Sequence, residues 1–253
     1  ETCADNLCRR RDQGFTAVKT GLKAPVKLVD TPGYVERAAE RFAAMREAAG
    51  PDMDIAIDFH GRSSPAMSIR LARALEPYSP FFIEEPSLPE NIDALERVAR
   101  STTIPIATGE RLFTRWGFRD VLEKQAAAIL QPDLCHCGGI FEARKIAAAA
   151  EVYYAGFAPH NPLGPISLAS CLQVDACTPN FVIQEHPGMA EKWDLGEGYL
   201  RDHFVVENGC IEVPDKPGLG IEIDESVVRE RTYPGDWDTP RLAHPEDGAF
   251  AEW

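Results

Sequence analysis

Three acidic residues stand at equal intervals of 26 positions: Asp58 in IDFHGR, Glu84 in FIEEP and Glu110 in TGERL, each at the close of a short apolar run. Such runs read as neighbouring parallel strands about 4.8 Å apart, so carboxylates at their ends converge on one small volume. Three anions do not share that space unpaired. A hard divalent cation with oxygen ligands relieves the repulsion, and Mg²⁺ typically keeps open positions for water or substrate oxygens. Any one of these acids is as readily a helix cap; three at one spacing point to a metal. His60 follows Asp58 by two positions and, while the strand lasts, projects to the same side, beside the metal. Asp133 in LQPDL and His160 in FAPHN end two later strands, and a buried carboxylate next to an imidazole fixes its tautomer and raises its basicity, which suits a general base. Glu185 in VIQEH completes the ring of ionisable groups. Lys19 in VKTG can reach the cation's ligands or a substrate carboxylate, and Arg62 in HGR is a second candidate for binding substrate. Glu85 faces away from Glu84 on a strand and, held by Pro86, takes a structural role. Cys135-His136-Cys137 lacks the two-residue gap and the second cysteine pair of a zinc knuckle, and reads as a loop before a helix near Ile140.

Holding these side chains at one mouth requires a regular frame, and the chain supplies it. Apolar runs at 15–19, 54–58, 81–84, 104–110, 128–133, 156–160 and 181–185 alternate with Ala-rich amphipathic stretches such as 31–49, where Pro32 suits a first turn and Gly50-Pro51 a stop. This is the pattern of an α/β fold, a parallel (β/α) barrel of the TIM type. Seven strands are visible where a closed barrel has eight, and the helical start before Phe15 suggests that one strand precedes residue 1. The catalytic barrel is expected over 1–186. A Gly-, Pro- and Trp-rich segment, 187–253, breaks the rhythm and is expected to pack on the barrel and on a further domain. The formal net charge of -14 opposes binding to a phosphate backbone or an anionic membrane. Seven scattered cysteines fit free thiols in a reducing compartment, and a cytoplasmic location is expected.

The segments DFHGR, FIEEP, GERLFTR, LQPDLCHCGGI, APHNPLGPISLASCL and KPGLGIEIDE, in this order and spacing, resemble the mandelate racemase branch of the enolase superfamily, and within it the dehydratases of sugar acids such as galactonate. The resemblance implies a modified (β/α)7β barrel under an N-terminal capping domain that lies outside this chain. It implies one Mg²⁺ on Asp58, Glu84 and Glu110, and His160 paired with Asp133 as the base at C2 of an aldonate. It further implies His60 as the acid for the C3 hydroxyl and Glu185 as a hydrogen-bond partner of an enediolate, with a 2-keto-3-deoxy acid as product. The implied partners are a small sugar acid and copies of the same chain, with no nucleic acid or membrane. Galactonate stands first, then gluconate, arabinonate or xylonate. Racemases of this branch carry Lys-x-Lys where this chain has Lys19-x-Gly21, so a racemase is disfavoured.

Overall fold

Start and stop chemistry sets the helices. Thr31 accepts a hydrogen bond from the Tyr34 amide and Pro32 occupies the first turn of α2 (Pro32–Ala49), which ends at Gly50 with φ 75°. Ser64 and Asn91 cap α3 (Pro65–Leu75) and α4 (Ile92–Ala99) in the same way. The computed structural model describes residues 3–186, 195–232 and 235. It opens with α1 (Cys3–Asp12) and β1 (Ala17–Gly21), and continues through α2, β2 (Asp54–Asp58), α3, β3 (Ile83–Glu84), α4, β4 (Ile106–Thr108), α5 (Thr114–Glu123), β5 (Ile129–Leu130), α6 (Ile140–Val152), β6 (Gly156–Phe157) and α7 (Pro165–Asp175). The six strands pair in parallel in strict chain order, with a helix between each pair. That order, without a reversal, is that of a TIM-type barrel and not of a doubly wound sheet.

Both sheet faces are covered, which is why Ile55, Ala56 and Ile57 are all buried although they alternate in direction. Ile55 and Ile57 meet the helix layer of Phe42, Leu71, Leu75, Phe118 and Ile146, while Ala56, Phe82, Ala107, Ile129 and Ala158 form a second cluster on the opposite face, inside the barrel. Lys19 pairs with Ala56, and Asp58 lies one inward position further along β2, so both project inward, Asp58 towards the mouth.

The ladders are shorter than the apolar runs suggest. Pro86, Pro105, Pro132 and Pro159 lie in or beside four of the runs, and each removes a backbone donor. The pairing of β5 with β6 therefore stops at Leu130 and Phe157, and resumes only as a bridge between Asp133 and His160. The expected strand at 181–185 is reduced to one bridge, Phe157 with Phe181, secured by the Val182 amide donating to the Phe157 carbonyl. No backbone ladder joins this segment to β1 among the described residues; an ion pair of 2.5 Å between Lys19 and Glu185 spans the two edges.

Beyond Glu185 the described residues contain a hairpin, β7 (Val206–Glu207) and β8 (Cys210–Ile211), and a short helix, α8 (Glu225–Glu230). Leu200 and Phe204 pack with Leu168, Ala169 and Leu172 of α7, covering the outer face of that helix. Residues 187–194 and most of 233–253 lie outside the described residues. No described helix is long and apolar enough to cross a membrane.

Candidate active site

Asp58 and Glu84 are register partners at the ends of β2 and β3, so their side chains leave the sheet on the same face. Glu84 is fully buried and receives Lys19 on both oxygens, at 2.9 and 2.7 Å, and the Gln131 amide at 3.0 Å. Glu110 stands two residues past β4, within hydrogen-bonding reach of Glu84 and electrostatic reach of Asp58. Glu84 and Glu110 thus stand in contact, with Asp58 within electrostatic reach of both. The closer convergence that their spacing predicts, one oxygen from each within 4.8 Å of the others, is not met among the described residues. Burial, opposed by Lys19 and reinforced by Asp58 and Glu185, pushes the Glu84 carboxyl up to about 8. Burial likewise raises Asp58, with Lys19 and His60 opposing and Glu110 reinforcing. Carboxyl oxygens gathered here, with Asp58 and Glu84 raised chiefly by burial, are hard donors of the kind a divalent cation takes.

Two histidines flank Glu110, one against each oxygen: His60 Nε2 is 3.4 Å from Oε1 and His160 Nε2 is 3.5 Å from Oε2. Burial opposes the charge on Glu110, but the hydrogen bond from His60 and the charges of both imidazoles outweigh it and hold the carboxyl down at about 2. His160 Nδ1 lies 2.8 Å from Oδ2 of the fully buried Asp133, whose other oxygen accepts the Cys135 amide. Burial alone would lower the His160 pKa; the bond to Asp133, with Glu185 and Glu110 near, raises it instead. Glu185 accepts the Asn161 amide at 2.8 Å and pairs with Lys19. Burial disfavours the Lys19 ammonium, yet Glu84, Glu185 and Asp58 together hold its pKa well above the usual lysine range. Arg62 is exposed on the turn after β2.

Two residues depart from the strand logic. His60 has φ 53°, so it reaches Glu110 from a left-handed turn and not from an extended strand. Glu85, expected to face away, has φ 40° and is 1% exposed, and its carboxylate lies 3.5 Å from Arg111 Nε. Burial and the neighbouring Glu110, against the opposing charge of Arg111, push it up to about 9. Among the described residues, His60, Glu85 and Glu110 form the one group of His, Cys, Asp and Glu side chains whose ligand atoms all lie within 4.8 Å, close enough to hold a metal ion. Arg111 already brings a positive charge to all three. Sequence reasoning passed over Arg111 and Gln131; the position of Arg111 directly after Glu110 was the available signal. Cys135–Cys137 forms a turn with Cys135 exposed and Cys137 buried.

Residues 2–227 match the family described as Enolase C-terminal domain-like. The chain is 47% identical over 254 residues to the D-galactonate dehydratase of Variovorax paradoxus (strain S110), covering 98% of this chain and 66% of that protein. It is 45% identical to the D-galactonate dehydratase of Xanthomonas euvesicatoria pv. vesicatoria (strain 85-10), over 96% of this chain and 65% of the relative. The chain thus spans just under two thirds of the length of these curated relatives. The crystal structure of a mandelate racemase/muconate lactonizing enzyme from Jannaschia sp. CCS1 superposes with a TM-score of 0.85 at 36% identity, over 92% of this chain and 60% of that one. The in-order parallel barrel accords with these matches, and the chain belongs to the enolase C-terminal domain-like family.

Proposed function

We propose that this chain carries the catalytic barrel of a magnesium-dependent dehydratase that converts an aldonic acid, D-galactonate first, to its 2-keto-3-deoxy acid and water. The observation that carries this reading is the pair of imidazoles on opposite oxygens of Glu110, one backed by a buried carboxylate. Elimination across C2 and C3 needs a base and an acid at neighbouring atoms, and this pair supplies both. The names of the two curated relatives support galactonate over gluconate, arabinonate or xylonate.

In this mechanism His160 takes the C2 proton on Nε2. Asp133 keeps the Nδ1 proton in place, so that Nε2 presents a lone pair, and it stabilises the imidazolium that forms. His60 gives a proton to the C3 hydroxyl, which leaves as water, and the resulting enol tautomerises to the keto acid. Lys19 and Glu185 border the place where the substrate carboxylate would lie, and Glu185 would hydrogen-bond one of its oxygens. A divalent cation held by Asp58, Glu84 and Glu110 would, when bound, stabilise the negative charge that develops on that carboxylate. Lys19-x-Gly21 leaves the opposite face of C2 without a second lysine, which counts against a racemase.

A keto-acid assay of the intact protein on a panel of aldonates, with Mg²⁺ and again with EDTA, tests the proposal. Metal-dependent keto acid from galactonate, lost in His60→Asn, is the expected result. Exchange of the C2 hydrogen with deuterium but no keto acid from any aldonate would replace the reading with a racemase or epimerase.

A further inference from the structure

We infer that Arg111 is a positioning residue that, anchored by Glu85, brackets the His60 imidazole and so serves loss of the C3 hydroxyl without serving removal of the C2 proton. The inference rests on the dehydratase reading and deepens it. Arg111 Nη2 stands 3.2 Å from Nδ1 and 3.3 Å from Nε2 of His60, nearly equidistant, and 3.4 Å from the His60 carbonyl oxygen. A donor so placed is not aligned with one ring lone pair; it braces the imidazole and its backbone together. The other side of the guanidinium faces acids, with Nε 3.5 Å from Glu85 and 3.8 Å from Glu110.

The backbone is arranged around this contact. His60 and Glu85 are both non-glycine residues in left-handed conformations, at φ 53° and 40°, which carry a conformational cost that surrounding structure must offset. Their two turns are tied to each other, since the Gly61 amide donates to the Glu85 carbonyl at 2.8 Å. A Cβ at position 61 would lie 2.8 Å from Arg111 Nη1 and 2.7 Å from Leu88 Cδ2, so glycine there leaves room for the guanidinium. Two strained turns thus present their side chains to one arginine. His160 depends instead on Asp133, on the other side of Glu110.

The consequence is a separation of the two half-reactions. In the intact, magnesium-loaded protein, Arg111→Met should lower kcat for keto-acid formation about a hundredfold, the cost of a misplaced catalytic group. KM should stay near that of the parent, while exchange of the C2 hydrogen with solvent deuterium persists. Arg111→Lys, a point charge that cannot brace the ring and reach Glu85 together, should give an intermediate rate. If Arg111→Met fails to fold, Arg111→Lys, which keeps a cation beside Glu85, carries the same test of exchange against elimination. Equal losses of exchange and elimination in the folded variants would overturn the inference and leave the dehydratase reading standing. If the parent protein neither exchanges nor dehydrates any aldonate, the dehydratase reading fails and this inference falls with it.

Discussion

Asp133 and His160 form the contact on which the proposed chemistry turns. Asp133 offers an acceptor to Nδ1 and another to the Cys135 amide, so Asp133→Asn keeps its size but turns an N–H toward one of them. Where that donor meets His160, Nδ1 becomes an acceptor and the ring proton moves to Nε2, which can then take nothing from C2. A loss in kcat of about 10³–10⁴-fold is expected, together with loss of C2 exchange, while magnesium binding measured calorimetrically stays near that of the parent. Retained exchange in this variant would remove His160 from the role of base. The gathering of Asp58, Glu84, Glu110, Asp133, His160 and Glu185 was legible because each closes an apolar run, and the pleat carries it to the mouth. The place of Glu85 was not, because a single positive φ reverses the direction that alternation assigns, and no residue type at that position announces it.

At the scale of elements, the site depends on how closely β4 and β5 approach beyond their ladder and on how the two outer strands are joined. Gly109 has φ 148°, and a Cβ there would lie 2.7 to 2.9 Å from backbone atoms of Gln131, the residue that holds Glu84. Gly109→Ala must separate the two chains just where Glu110 begins, and a destabilisation of more than about 2 kcal/mol in urea unfolding is expected. Across the barrel, Lys19 ties β1 to the segment at 181–185, which among the described residues has one backbone bridge to hold it. Lys19→Met leaves the buried Glu84 and the part-buried Glu185 without their shared cation. Because the lysine is partly exposed, the expected cost is near the lower end for a broken buried pair, about 2–3 kcal/mol. An unchanged denaturation midpoint would show that the edges are held by something other than this ion pair. Apolar runs located the six strands of the parallel sheet but not the hairpin of β7 and β8; their lengths misled where proline interrupts the ladder, and among the described residues the run at 181–185 has no ladder partner on its second side.

For the molecule as a whole, strand order and barrel class followed from repetition alone, since each helix-strand unit covers its neighbour in chain order. The stability of that assembly carries a pH dependence that repetition does not reveal. Asp175 ends α7, is 8% exposed, and neither of its carboxylate oxygens has a hydrogen-bond partner among the described residues. Burial pushes its pKa up to about 8, from 3.8 in the unfolded chain. Between those values the folded chain holds a proton that the unfolded chain releases. Its contribution to stability is therefore full below the lower value and is lost progressively as pH rises to the upper one. Asp175→Asn cannot ionise and escapes that loss. Its stability relative to the parent should grow between about pH 5.5 and about pH 8.5, by at most about 3 kcal/mol at roughly 1.4 kcal/mol per unit. Urea unfolding of both proteins at the two pH values measures the difference directly. A stability difference that is the same at both would mean that Asp175 is already ionised in the fold, with a partner that compensates its burial.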